Sequence, residues 1–153
     1  MPTDASPEKI HLDDIAPGDE FLSPEYHIDA EQIIAFAQQY DPQPFHLDEA
    51  AAKNTFFQGL AASGWHTGAI TMKLLVESLP FAQGVIGAGG EISWPRPTRP
   101  GDTLHVKSKV LDVAPSRSRP NQGIVTVESL TLNQDGEVCQ RLVAKLLAFR
   151  RRD

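Results

Sequence analysis

The chain has 153 residues, 41% apolar and 22% charged, with 20 acidic against 14 basic side chains and a formal net charge of -6. This is a globular composition of single-domain length, able to hide about 70% of its unfolded surface, and its charge argues against a broad nucleic-acid face. No stretch approaches the roughly 20 apolar residues of a membrane span, and the single cysteine, Cys139, rules out an intrachain disulfide and fits a reducing, cytoplasmic compartment.

Residues 1–18 are polar, with Pro and Gly, and read as an irregular lead-in without the apolar core of a signal peptide. Residues 19–28, DEFLSPEYHI, read as a short strand that Pro24 confines to an edge or bulge. In DAEQIIAFAQQY, Asp29 caps a helix, Gln32 stands three residues later as in a capping box, and Ile33, Phe36, Ala37 and Tyr40 form one stripe. Pro42 ends that helix near Tyr40, because it disfavours helical geometry at Asp41. LDEAAAKN reads as a short helix opened by Asp48.

SGWHTGAITMKLLVESLP predicts a longer helix, capped by Ser63, stopped by Pro80 and apolar on most faces. Such a helix belongs inside a domain. The remainder predicts strands: 91–95, 102–113, 123–134 and 137–149, the last two joined by Asp135-Gly136. The last strand alternates poorly and resembles a helix in part. The glycines of GVIGAGGEISW suggest a bulge or a tightly packed strand, since no GK[ST] follows them. Arg150-Arg151-Arg152 reads as a solvated, frayed end. The expected class is α+β, one buried helix wrapped by a curved antiparallel sheet over residues 19–150.

Two stretches carry chemistry. YDPQPFH holds Asp41 and His46, an acid and an imidazole that could together hold one water and move its proton. A polyproline-like path would keep them about 15 Å apart. They meet only if the chain bends after Pro44; otherwise the stretch is a proline-rich loop with solvated polar residues. GLAASGWHTG leads into the long helix, and the free N–H groups of its first turn, with Gly64 allowing close approach, outline an oxyanion site. An ordinary cap with a packing glycine fits the same residues. Ser63 and His66 lack a third residue to orient them as a nucleophile and base. The five histidines show no metal-ligand spacing, so neither a metal nor a cofactor is expected.

The two stretches in this order, with a short helix between them, resemble the MaoC-like dehydratase family, whose best-known members are (R)-specific enoyl-CoA hydratases. The family motif is Asp, any residue, Asn, Pro, an apolar residue and His; here it reads Asp41-Pro42-Gln43-Pro44-Phe45-His46. LDEAA, ASGWHT and WPRPTRPGDTL extend the likeness from about Phe21 to Phe149. The resemblance implies a hot-dog fold, catalytic roles for Asp41 and His46, and a thioester oxygen held at the Gly64 N–H. It implies hydration or dehydration of 2-enoyl or 3-hydroxyacyl thioesters of CoA or acyl carrier protein, by a homodimer without nucleic-acid or membrane partners.

Three departures bear on the substrate: Gln43 replaces Asn, Ser63 replaces a His, and Phe45 is bulkier than the usual aliphatic residue. Phe45 and Trp65 flank the motif positions, which makes them candidates for the acyl pocket and for a preference for short acyl groups. A hot-dog thioesterase and a non-catalytic acyl-CoA-binding subunit are the competing readings.

Overall fold

The computed structural model of the chain describes residues 8–152. The part of the lead-in at residues 1–7, with its lack of a signal segment, lies outside the described residues. Six strands form one antiparallel sheet: β1 (Glu20–Leu22), β2 (Tyr26–His27), β3 (Ile86–Ser93), β4 (Thr103–Pro115), β5 (Gln122–Leu132) and β6 (Val138–Phe149). The order is β1-β4-β5-β6-β3, with β2 also pairing β4. Among the described residues four α-helices precede β3: α1 (Ala30–Tyr40), α2 (Pro44–Leu47), α3 (Glu49–Ala52) and α4 (Gly64–Ser78). A long helix packed on one antiparallel sheet is the hot-dog arrangement expected from the sequence. No helix among the described residues is long and apolar enough to cross a membrane.

Local chemistry accounts for the elements. Asp29 and Gln32 close a reciprocal capping box at the start of α1. Ile33 and Ala37 of its stripe are fully buried, but Tyr40 is 68% exposed, so the buried face ends before the last turn. In β5 alternate residues point inward, placing Val125 and Val127 in the core, and β4 contributes Leu104, Val106 and Val110. These meet Ile70, Leu74 and Leu75 of α4. The expected edge strand is split at Ser23-Pro24-Glu25 into β1 and β2, both on β4. The glycine-rich segment is the body of β3, which starts at Ile86, and a bulge sits between Gly87 and Gly89.

Two expectations are corrected. α4 is not wrapped all round: Trp65, Ala69, Met72 and Val76 form an exposed stripe on one helix face. Arg150 and Arg151 are not a frayed end, because Arg150 donates to Asp13 at 2.8 Å and Arg151 to Asp14 at 2.6 Å. Those acids sit on a 3₁₀ turn at Leu12–Asp14 whose Leu12 is buried in the core. In β6 the alternation fails for a local reason. A register shift opposite Thr131/Leu132 makes Cys139 an extra residue, so Cys139 and Gln140 both turn inward.

Candidate active site

The bend that the YDPQPFH stretch required is the single turn α2. Pro44 occupies its first position, where its missing N–H costs nothing and its fixed φ suits a helix. Asp41 ends α1, donating its N–H to the Ala37 carbonyl, and the Gln43 N–H returns to the Asp41 carbonyl at 2.8 Å. The chain thus doubles back over three residues. His46 Nε2 comes to 3.3 Å from Asp41 Oδ2, with His46 buried and Asp41 half-buried.

The imidazole is fixed at its other nitrogen. His46 Nδ1 lies 2.6 Å from the Ala61 carbonyl oxygen. A carbonyl only accepts, so Nδ1 carries the proton and donates it. In the neutral ring Nε2 is then a bare acceptor facing a carboxylate oxygen. Two acceptors at this distance can be bridged by one water that offers a hydrogen to each.

Burial raises the Asp41 pKa, but hydrogen bonds from the Gln43 amide and the Ser63 hydroxyl, joined by the charge of His46 when its ring is protonated, outweigh it and leave the carboxyl below its ordinary value. Gln43, one methylene longer than Asn, reaches back to Asp41 Oδ1. Ser63 also caps α4 by accepting the Trp65 N–H at 3.3 Å.

Gly64 opens α4, so its N–H belongs to the first turn, which has no intrahelical acceptor. His46 and Gly64 line one cavity of about 370 Å³. A Cβ at position 64 would lie 2.7 Å from Cε2 of Trp94, so only glycine fits beneath that indole. The cavity also meets Thr67, Thr98 and Cys139, all buried. Phe45 and Trp65 stand outside its lining. Phe45, in a helical turn rather than an extended path, packs edge-on to His46 and against Phe57. Trp65 is 62% exposed and meets Trp94 edge-to-face. His66 stacks on Phe36, its pKa lowered by burial, and makes no pair with Ser63.

Two contributors were not singled out from the sequence. Trp94 lines the cavity with Phe56 and Phe57 and is the aromatic that covers Gly64. Arg99 donates from its guanidinium to the carbonyls of Phe57, Gly59 and Leu60, and so holds the loop that presents the Ala61 carbonyl to His46. Nothing local marks either residue: a Trp at a strand end and an Arg between prolines are ordinary until the partner segments arrive.

A family model described as MaoC like domain matches residues 14–133. The Bacillus subtilis protein YdeM is 36% identical over 128 residues, which is 82% of this chain and 89% of that protein. A 3-hydroxybutyryl-CoA dehydratase from Methylorubrum extorquens is 27% identical, over 77% of this chain and 75% of its own length. Among solved structures, the MaoC-like dehydratase from Rhodospirillum rubrum is 60% identical with a TM-score of 0.93, covering 94% of this chain and 99% of that one. The (R)-hydratase PhaJ1 from Pseudomonas aeruginosa is 27% identical with a TM-score of 0.77, covering 94% and 88%.

Proposed function

The chain belongs to the MaoC-like domain family, and on that premise we propose that it is a hydratase or dehydratase of 2-enoyl and 3-hydroxyacyl thioesters. The observation that carries this reading is the pairing of Asp41 Oδ2 with His46 Nε2 at 3.3 Å, where His46 and Gly64 line one cavity and Asp41 stands beside His46, outside its lining. The substrate's thioester oxygen accepts from the Gly64 N–H, which stabilises the enolate as negative charge moves onto that oxygen. Asp41 and His46 hold the water. As its oxygen bonds to C3, one of the pair takes a proton and the C2–C3 π electrons move toward the thioester. A proton then returns from the pair to C2 on the same face. The reverse sequence expels water from the 3-hydroxyacyl thioester. The two groups share the work and titrate as a pair. The carrier is CoA or acyl carrier protein, and the working unit is a soluble, cytoplasmic homodimer.

The test incubates the purified protein with crotonyl-CoA and follows the absorbance of the conjugated double bond, with thiol release assayed in parallel. Loss of the enoyl chromophore without free thiol is the expected result. Thiol release with the double bond intact would make the protein a thioesterase. No change in either assay across crotonyl-, octenoyl-, mesaconyl- and β-methylmalyl-CoA would leave a thioester-binding subunit.

A further inference from the structure

One wall of the cavity is fixed by a buried polar partner. Trp94 follows directly on β3, and its indole covers Gly64 closely enough to exclude a Cβ there. The indole Nε1–H donates to Gln140 Oε1 at 2.9 Å. Gln140 is fully buried, turned inward by the bulge in β6. Its amide nitrogen donates to Thr71 Oγ1 at 3.0 Å. Thr71 gives its one proton to the Thr67 carbonyl at 2.8 Å, and so accepts from Thr131 Oγ1 at 2.6 Å. Thr71 and Thr131 are as deeply buried as Gln140.

A buried amide is costly unless its hydrogen bonds are made, and an apolar residue would fill position 140 at lower cost. Once every bond is made, such a network admits few arrangements. Here it points the indole at one place, the space above Gly64. The buried Thr67 and Thr98 also line the cavity, the Thr67 hydroxyl donating to that of Thr98 at 3.0 Å.

We propose that Trp94, aimed by Gln140, is the residue that restricts this site to short acyl groups, with Gln140 acting as its positioning residue. The proposal rests on the thioester reading above. With the oxygen at Gly64 and the reacting carbons at His46, an acyl chain starts between those residues, and extension runs it into the indole that covers Gly64. Crotonyl thioesters fit; octenoyl thioesters do not.

The experiment measures kcat and KM for crotonyl-CoA and octenoyl-CoA in the wild type, Trp94→Ala, Trp94→Phe and Gln140→Leu, each checked for folding by circular dichroism. The wild type is expected to favour crotonyl-CoA by at least tenfold in kcat/KM, on the scale that one misplaced methylene commands. Trp94→Ala shifts the ratio at least tenfold toward octenoyl-CoA, and Trp94→Phe shifts it less. Gln140→Leu keeps the volume and removes the acceptor. It shifts the ratio severalfold, mainly by lowering KM for octenoyl-CoA while kcat for crotonyl-CoA stays within about twofold. A merely structural role for either residue would lower both substrates alike and leave the ratio unmoved, which overturns the proposal. If Trp94→Ala does not fold, the two milder variants decide by the same ratio. A wild type that hydrates both thioesters equally overturns the proposal while leaving the hydratase reading intact. A wild type that hydrates neither overturns both.

Discussion

At Asp41 two opposing effects meet. Burial favours the neutral acid, while two hydrogen-bond donors and a neighbouring imidazole favour the carboxylate, and the second set wins. If the pair holds one water, each member is needed. Asp41→Asn and His46→Ala are each expected to reduce hydration at least a hundredfold with the fold intact, and the double variant to be little worse than either single. Retention of a tenth of the wild-type rate by either variant would remove the assignment. The pH dependence has a definite sign. A carboxyl depressed in the folded state contributes stability that is present above its unfolded pKa and lost as pH falls through the lower folded value. Gln43→Ala removes a donor, so the Asp41 pKa rises and the acid limb of kcat/KM moves to higher pH. Ser63→Ala moves the same limb in the same direction, and it also loses a helix cap worth about 1 kcal/mol, which appears as a lower Tm.

At the scale of elements, the site depends on a loop with no regular structure. Between α3 and α4 the chain is fastened by Arg99, whose planar fork spreads over three carbonyls. A lysine ammonium at the end of a flexible stem does not reproduce that fork. Arg99→Lys is therefore expected to behave like Arg99→Ala. Both loosen the Ala61 carbonyl that orients His46, and kcat/KM falls roughly ten- to a hundredfold, the cost of a small misplacement of a catalytic group. Full activity in Arg99→Lys would show that the charge, rather than the fork, is what position 99 supplies.

For the whole molecule, two unpartnered features stand out. β3 pairs with β6 on one side only, and its residues from Ile86 to Gly90 are exposed. An exposed strand edge is open to pairing with another chain. The α4 stripe of Trp65, Ala69, Met72 and Val76 adds an exposed apolar helix face. A homodimer covering these features follows as an expectation. Light scattering at micromolar concentration should give twice the 16.8 kDa of one chain. Val76→Glu, a charge on a side chain that is 60% exposed, should shift that mass toward one chain without changing the circular dichroism. A wild type of single-chain mass would contradict the dimer.

The sequence by itself determined whatever is written within one or two helical turns. The Asp29–Gln32 box, the Pro42 and Pro80 stops and the alternation of β4 and β5 all act between near neighbours, so they were legible in the chain and stand in the fold. The two chemical stretches were legible as residue types in order, but by themselves they fitted a proline-rich loop and an ordinary helix cap equally, and it was the resemblance of the stretch from Asp41 to His46 to a family motif that pointed to chemistry. Tertiary structure alone decided which groups meet. The turn at Pro44 replaced an extended path and carried His46 to Asp41, Ala61 came from the following loop to fix the ring, and Arg99 came from beyond β3 to fix that loop. The bulge at Cys139 turned Gln140 inward to accept from Trp94, and Trp94 rather than Trp65 lines the cavity. A hydrogen bond between residues 46 positions apart leaves no periodicity in the chain. Its partners are chosen by strand register, and register is settled only when the sheet and the central helix pack together.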